Sequence, residues 1–485
     1  MLRQPDSPIL DIRRLLSGLP VLAAASLFAA CGATLAAVPE DPLVPLVSAY
    51  VRAVKPGEQV EVYRELFGTV LARVQRSYAQ EVDLPPLIAA ALKVIEPLKP
   101  ESGEPAAVFK TAINAALAAL DPHTGYLDAR EQRDQRSSIS GSFGGLGMEV
   151  DMTEGLVRVV APIEDTPAAR AGLKAGDLIV SFDNQPVLGM TLSDAIGKMR
   201  GQPGTPITLV IRRPGRDDEF TVSLVRETIR RQALRWSMEE EVLVLRLASF
   251  TSSIGAQVDK AISDASATRA PRALILDMRG NPGGLLNQAV VTADTFLSHG
   301  EIVSLRGRTP GNRRSWKADA AERLPGVPMV VLLDGASASA AELVAAALQD
   351  NGRATVMGQR SYGKGSVQSM ISLGAEKGAL RLTTALYHSP SGRTVQRTGV
   401  GPDIELVLAP AAPVGRGGRR EADREHALPG VDEPAPPKAR VEPSRCAAPK
   451  SGGDPAIACA LAFLKSGAIE TFLAALAPAG SPAQP

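Results

Sequence analysis

The sequence has almost no excess of charge and very few histidines. Its 485 residues include 53 lysines and arginines against 52 aspartates and glutamates, a formal net charge of +1. A balance this even gives no electrostatic basis for binding nucleic acid or another strongly acidic partner. With four histidines and no Gly-x-Ser-x-Gly motif, a histidine-based serine hydrolase has little support, and His388 is its one candidate base.

The N-terminal stretch, residues 1–38, combines three arginines with a long uncharged run, the pattern of an export signal. Residues 27–31 (Leu-Phe-Ala-Ala-Cys) resemble a bacterial lipoprotein box in which Cys31 is acylated. Cleavage after an alanine such as Ala33 or Ala37 and retention as a membrane anchor are the alternatives. Each alternative places the body of the protein in the bacterial periplasm or cell envelope, either free or attached through its N-terminus.

Cysteine is also scarce, with three in the whole chain. Apart from Cys31, only Cys446 and Cys459 are present, both near the C-terminus. An oxidising compartment permits a disulfide between them, which would staple the tail without any catalytic meaning.

The strongest chemical pattern lies between Met329 and Leu373. An apolar run at 329–333 predicts a buried strand, and the alanine-rich stretch 336–350 predicts a helix. Ser339 falls in the first turn of that helix, where free N–H groups and the helix dipole favour an oxyanion. Lys364 lies between two glycines, and desolvation can lower the pKa of such an amine enough for it to act as a base. Gln368 is placed to orient the amine.

Two other interpretations of this segment compete. Ser337 could cap the helix and leave Ser339 without a role, since capping is the usual function of serine at this place. Residues 358–364 (Gly-x4-Gly-Lys) resemble a phosphate-binding loop. However, Gly365 stands where a Ser or Thr should hold magnesium, and a strand rather than a helix follows.

Three short motifs resemble those of the carboxy-terminal processing peptidases, which are serine peptidases with a Ser–Lys pair. They are Ser337-Ala-Ser-Ala-Ala-Glu342, Ala347-Leu-Gln-Asp350 and Gly363-Lys-Gly365, the last of which is followed by Gln368. The sequence departs from the family's Ser-Ala-Ser-Ala-Ser-Glu pattern at Ala341, which is not the nucleophile. The resemblance implies that Ser339 is the nucleophile, Lys364 the general base and Gln368 its orienting partner, with no metal or cofactor.

A fourth motif of that family is Asp277-Met-Arg-Gly-Asn-Pro-Gly-Gly284, which follows a buried strand. By resemblance it supplies part of the oxyanion hole. We assign that donor to Gly283 or Gly284, with the N–H of Ala340 as the second. The segment 121–126 (Asp-Pro-His-Thr-Gly-Tyr) also matches the family, and there His123 is interpreted as a structural turn residue.

Residues 140–228 change to short alternating strands separated by turns. Their order, with two short helices, resembles a PDZ domain, and a generic small β-domain is the alternative. In a PDZ domain, the loop Gly145-Leu146-Gly147 receives the C-terminal carboxylate of a peptide, which adds as a strand beside Met148. The expected partners are therefore proteins or peptides with apolar C-termini.

The predicted fold class is α/β within a multidomain α+β chain. By resemblance, the core is a crotonase-like or ClpP-like α/β peptidase with an inserted PDZ domain and an N-terminal helical region. The predicted parts are an export signal (1–38), helices (40–138), a PDZ domain (140–228), the peptidase core (235–408), an exposed linker (409–444) and a helical tail (445–485). The predicted function is an exported serine endopeptidase; a non-catalytic PDZ adaptor is the alternative, and homo-oligomerisation stays open.

Overall fold

The computed structural model describes residues 41–57, 59–216, 218–230, 232–319, 321–374, 376–407, 420–430, 435–446 and 453–477. Residues 1–41 and 42–485 form two separate units, and only Asp41 of the first is described. The predicted export signal, with Cys31, therefore lies outside the described residues.

The first part of the second unit is helical and packs around a group of aromatic rings. Ring centroids lie 5.3 Å apart for Tyr50 and Phe67, 4.7 Å for Phe67 and Phe109, and 5.1 Å for Phe109 and Tyr126. Three of the helices have proline at their first or second position, where its missing N–H costs no hydrogen bond. The elements are α1 (Val44–Ala53), α2 (Gln59–Ser77), α3 (Leu84–Ile95), α4 (Pro105–Ala118), β1 (Gly125–Leu127) and α5 (Ala129–Ser140).

The next part is a small β-domain with its own apolar core. Its elements are β2 (Ser142–Gly145), β3 (Met148–Thr153), β4 (Leu156–Pro162), α6 (Pro167–Arg170), β5 (Leu178–Phe182), β6 (Gln185–Pro186), α7 (Leu192–Met199), β7 (Pro206–Arg212), β8 (Phe220–Val225) and β9 (Glu227–Arg230). Strands β3-β4-β5-β7-β8 form a sheet in that order, with β6 beside β5. The entry strand β2 pairs with the exit strand β9, so both ends of the domain leave through one two-stranded ribbon.

The third part is an α/β core built on a seven-stranded sheet with the order β10-β11-β12-β15-β16-β19-β20. Its elements are β10 (Leu234–Glu239), β11 (Val242–Leu247), α8 (Ile254–Thr268), β12 (Ala273–Asp277), α9 (Leu286–Asp294), β13 (Glu301–Arg306), β14 (Arg314–Lys317), β15 (Met329–Leu333), α10 (Ala340–Asp350), β16 (Thr355–Gly358), β17 (Ser366–Ser372), β18 (Ala379–His388), β19 (Ile404–Leu406), β20 (Ala439–Val441), α11 (Pro455–Ser466) and α12 (Ile469–Leu476). From β11 onward, neighbouring strands are parallel.

Both faces of this sheet are covered, which is why its central strands are continuous apolar runs. Alternate residues of β15 enter two different clusters: Val331 and Leu333 pack with α8, α9 and α10, whereas Val330 and Leu332 pack with α11 and α12. The predicted α/β fold class is confirmed.

A second sheet joins the helical region to the core. Strand β18 pairs with β1 of the helical region, with β17 and with β13, which in turn pairs with β14. Because β17 directly follows the turn that carries Lys364, this sheet anchors one side of the candidate site.

Part of the stretch predicted as an exposed linker, residues 409–444, packs into the body of the protein. Within its described residues, Glu421 is fully buried, Leu428 enters the core of the helical region, and β20 pairs in parallel with β19. These contacts are made by isolated residues and one three-residue strand, so the sequence shows no apolar period that could predict them.

The tail covers the outer face of the sheet. Phe463 of α11 and Phe472 of α12 pack edge to face with their ring centroids 5.6 Å apart, and a disulfide joins Cys446 and Cys459. Among the described helices, none is long and apolar enough on its own to cross a membrane. Only α11 and α12 together reach that length and composition, and they are bent by 119°.

Candidate active site

The turn before α10 is longer than the sequence predicted. The predicted helix starts at residue 336, whereas the observed helix starts at Ala340. Residues 334–338 instead form a turn in which Asp334 Oδ1 accepts hydrogen bonds from the N–H groups of Ala336 and Ser337, each 3.0 Å. The hydroxyl of Ser337 also lies 3.0 Å from the carbonyl oxygen of Met278. Ser337 therefore holds the turn and does not cap the helix.

Ser339 lies at the junction of this turn and the helix, in a strained backbone conformation. Its φ is 55° and its ψ is −116°, a combination that is rare for any residue other than glycine. A serine on a sharp strand–turn–helix junction exposes its hydroxyl at the edge of the sheet, as hydrolase nucleophiles do. A Cβ on Gly283 would lie 2.8 Å from Ser339 Cβ and 2.9 Å from Ala340 N, so only glycine permits this close approach.

Glu342 connects the Ser339 turn with the Lys364 turn. Its carboxylate is fully buried and accepts four hydrogen bonds. Oε2 accepts from the N–H of Ser339 (2.7 Å) and of Lys364 (2.8 Å), and Oε1 accepts from the N–H of Gly363 and the hydroxyl of Ser361, both 2.6 Å. The backbone nitrogens of Ser339 and Lys364 are therefore no farther apart than the sum of two hydrogen bonds.

Tyr387 connects the same two residues through their carbonyl groups. Its hydroxyl oxygen lies 2.9 Å from the carbonyl oxygen of Ser339 and 2.6 Å from that of Lys364. One hydroxyl proton serves both acceptors. Burial raises the pKa of Tyr387 far above its ordinary value, so the phenol remains a donor.

The Lys364 amine is mostly buried, and burial lowers its pKa. The nearby Arg381 charge lowers the pKa further, while Glu421, Asp121 and Glu342 oppose this effect. In the part of the chain that the structure describes, Nζ has no hydrogen-bond or ion-pair partner, and Ser339 Oγ and Lys364 Nζ are not hydrogen-bonded to each other. Catalytic hydrogen bonds are often long before substrate binds.

Burial raises the pKa of Glu342 to about 7, although its four hydrogen bonds act in the opposite direction. All four neighbours are donors, so the ionised carboxylate is the form that satisfies them.

The predicted orienting residue Gln368 lies on β17 and does not contact the amine in this structure. Its Nε2 donates to Ser366 Oγ at 3.0 Å and to Thr383 Oγ1 at 3.1 Å. Thr383 in turn donates to Asp121. Its role toward Lys364 therefore stays a prediction.

The two glycines predicted for the oxyanion hole differ in their hydrogen bonding. The N–H of Gly283 donates to the Asn281 side chain at 2.8 Å. Among the described residues, no acceptor is bonded to the N–H of Gly284 or of Ala340. Gly284 and Ala340 are thus the pair with free donors in this structure.

Two of the four histidines lie near the second sheet and the segment after the core. His388 ends β18, opposite Ser304 of β13. The ring of His123 lies against the buried carboxylate of Glu421, with Nε2 at 2.9 Å from both oxygens.

In the loop predicted to bind a peptide carboxylate, the carbonyl groups of Leu146 and Gly147 are hydrogen-bonded within the domain. Leu146 O accepts from the N–H of Ala168, and Gly147 O accepts from Ile163 N–H and the Thr166 hydroxyl, each at 2.9 Å. The N–H groups of Leu146 and Gly147 have no acceptor within the described ranges. Gly147 has a φ of 79°, and a Cβ there would meet Thr166 at 2.2 Å, so the loop requires glycine.

Glu342, Tyr387 and Glu421 have no predicted role from the sequence. Glu342 stands three residues after Ser339, which is capping-box spacing, and that signal could have found it. No sequence signal distinguishes Tyr387 from any other buried tyrosine, or Glu421 from the other acidic residues of a polar stretch.

The fold and this site define a serine-type peptidase that carries a PDZ domain. The model of peptidase family S41 matches residues 241–406, and that of the PDZ domain matches residues 158–213. The chain belongs to the carboxy-terminal processing proteases of peptidase family S41.

Relatives with that description support the assignment. The chain is 47% identical over 300 residues to the carboxy-terminal-processing protease of Bartonella bacilliformis, covering 61% of this chain and 69% of the relative. It is 33% identical over 311 residues to the carboxyl-terminal-processing protease of a Picosynechococcus species, covering 63% and 73%. Among solved structures, the photosystem II D1 C-terminal processing protease matches with a TM-score of 0.45 and 27% identity, over 71% of this chain and 92% of that chain.

Proposed function

We propose that Ser339 and Lys364 form the catalytic pair of this peptidase. The observation that carries the proposal is the double bridge between them: Glu342 holds both backbone N–H groups, and Tyr387 lies against both carbonyl oxygens. These contacts hold Ser339 and Lys364, which are 25 positions apart in the sequence, next to each other. The lowered pKa of Lys364 supports its role as the base.

In this mechanism the neutral Lys364 amine takes the proton from Ser339 Oγ as that oxygen attacks the scissile carbonyl. The negative oxygen of the tetrahedral intermediate receives hydrogen bonds from the N–H groups of Ala340 and Gly284. The protonated Lys364 then donates its proton to the departing amine, and the C–N bond breaks. Finally Lys364 removes a proton from water as the water attacks the acyl carbonyl, and it gives that proton to Ser339 Oγ when the ester bond breaks. Gln368 positions the amine in the substrate complex.

Acyl-enzyme trapping tests this pair. The full chain is mixed with an activated peptide ester, quenched with acid, and analysed by mass spectrometry. We expect one acyl group on the peptide that contains Ser339, no acyl group there in Ser339→Ala, and much slower acylation in Lys364→Ala. Acylation at another serine would overturn the assignment. A complete lack of acylation would favour the non-catalytic adaptor.

The PDZ domain is proposed to capture the C-terminus of a protein or peptide substrate. The free N–H groups of Leu146 and Gly147 support a carboxylate site, with Met148 N–H next to them at the start of β3. The peptide then adds as a strand beside β3. Leu192 and Ile196 lie one turn apart on α7 and are half-buried, so they offer an apolar surface for its last side chain.

We predict that Ile196→Asp weakens the binding of a peptide with an apolar C-terminus by at least about tenfold, because a buried apolar side chain contributes roughly 1.5–3 kcal/mol. Fluorescence anisotropy in a Ser339→Ala background measures binding without cleavage. Lys198→Ala on the same helix, where the side chain is exposed, is the matched control. Equal binding of the amidated peptide would argue against carboxylate capture.

Export of the protein to the periplasm or cell envelope, and acylation of Cys31, are proposed from the N-terminal sequence alone. Mass spectrometry of the mature N-terminus tests both.

A further inference from the structure

A segment outside the residues matched by the S41 family model packs directly on the Lys364 turn. We call this segment, residues 420–430, the strap. The Arg420 guanidinium donates to the carbonyl oxygens of Ser361 (3.0 Å) and Thr398 (2.9 Å). The N–H of Glu421 donates to Tyr362 O at 3.2 Å. The strap is thus hydrogen-bonded to Ser361 and Tyr362, the two residues that precede Gly363.

The buried Glu421 carboxylate extends this contact to the other side of the turn. It accepts a hydrogen bond from Gln396 Nε2 at 3.1 Å, and Gln396 Oε1 accepts from the N–H of Gly365 at 2.9 Å. Gln396 is fully buried and also donates to Leu428 O at 3.2 Å. A continuous set of hydrogen bonds therefore runs from the strap to the residue that follows Lys364.

Glu421 is also one of the charged residues that affect the pKa of the Lys364 amine. Arg381 of β18 opposes a positive charge on Lys364, whereas Glu421, Asp121 and Glu342 favour one. Asp121 and Glu342 are each held by several donors of the fold itself. Glu421 is the carboxylate of this set that comes from the strap.

The neighbours of Glu421 keep it ionised. His123 and Gln396 donate to it, and the charge of Lys364 adds to their effect; together they lower its pKa despite burial. Tyr362 and Tyr387 are the other titratable groups close to it.

We propose that Glu421 is a positioning residue of the active site: through Gln396 it fixes the turn that carries Lys364, and its negative charge counters the effect of Arg381 on the amine. This inference rests on the Ser339–Lys364 pair proposed above. Its physical reason is the strength of the base. Burial and Arg381 both weaken the amine as a base, and a base that is too weak removes the serine proton slowly. Glu421 acts against that weakening.

The experiment measures the pKa of Lys364 directly. Full-length Ser339→Ala protein is acetylated with trace acetic anhydride across a pH series, and the fraction of modified Lys364 is followed by mass spectrometry. Lys260, whose side chain is 74% exposed, is the internal reference. In Glu421→Gln we expect the pKa of Lys364 to fall by about one unit, as loss of a close opposite charge requires.

The matched control is Glu425→Gln, which removes the same charge from the same strap at a side chain that is 90% exposed. We expect it to leave the pKa of Lys364 unchanged. Glu421→Ala, which removes the carboxylate without adding a buried amide, should repeat the shift and replaces Glu421→Gln if that variant does not fold. No shift in either Glu421 variant, or an equal shift in the control, would overturn the proposal.

A second readout in the active protein separates this inference from the catalytic pair. In Glu421→Gln, the acid limb of kcat/KM should move to lower pH by the same amount, and the plateau kcat should fall. If Glu421 had a purely structural role, Glu421→Gln would lower activity without shifting the acid limb of the kcat/KM pH profile. If Lys364→Ala keeps its activity, the catalytic pair is wrong, whereas the labelling result still reports whether Glu421 controls the amine.

Discussion

Lys364→Ala is expected to lower kcat for peptide cleavage by at least about a thousandfold, which is the scale of losing one member of a catalytic nucleophile–base unit. Ser339→Ala should cause a loss of the same size. Lys364→Arg is the sharper variant, because it keeps the positive charge and most of the length but cannot be deprotonated in a protein. It should be as inactive as Lys364→Ala if the amine is the base.

The double variant Ser339→Ala/Lys364→Ala should lose no more activity than either single variant, since the two groups act in one proton transfer. The measurement is kcat for an internally quenched peptide, with Lys260→Ala as an exposed-lysine control. Substantial activity in Lys364→Arg would show that the lysine contributes charge and does not accept the proton. Full activity in Lys364→Ala would show that Ser339 and Lys364 do not form a catalytic pair.

The central strands were predictable because each carries a local signal, and the candidate residues Ser339 and Lys364 were predictable because their motifs resemble those of a known family. Strand β15 is an apolar run covered on both faces, and Ser339 and Lys364 each lie in a motif dense in small residues. The start of α10 was not predictable: a stretch of good helix formers contains Ser339, whose positive φ interrupts the helix. That φ is imposed by distant contacts, including the close approach of Gly283, and helix propensity contains no information about them.

The strap was not predictable for a different reason. Its residues are mostly polar, and it is held by scattered contacts of Arg420, Glu421 and Leu428 with no regular spacing. A buried carboxylate has no sequence signature of its own, because its burial depends on partners such as His123, 298 positions away. Polar composition therefore indicated a solvated linker where the structure has part of the active-site wall.

Glu342→Ala is expected to have the second largest effect, since one carboxylate satisfies four donors. Removing it leaves three backbone N–H groups and the Ser361 hydroxyl without their acceptor in a fully buried place. Each unsatisfied buried donor costs about 1–3 kcal/mol, with partial relief from water in the new space. We therefore expect the free energy of unfolding to fall by roughly 3–5 kcal/mol, measured by urea denaturation.

The same variant should lower kcat by at least about a hundredfold at temperatures where it remains folded, because a displacement of about 1 Å at a reacting group has that cost. Glu322→Ala is the matched control: its carboxylate is also mostly buried and contacts Arg353 at 2.6 Å, but it contacts neither catalytic residue. It should lose stability and keep kcat. If Glu342→Ala lost stability alone, Glu342 would have a structural role only, and Tyr387 would remain as a side chain that contacts both Ser339 and Lys364.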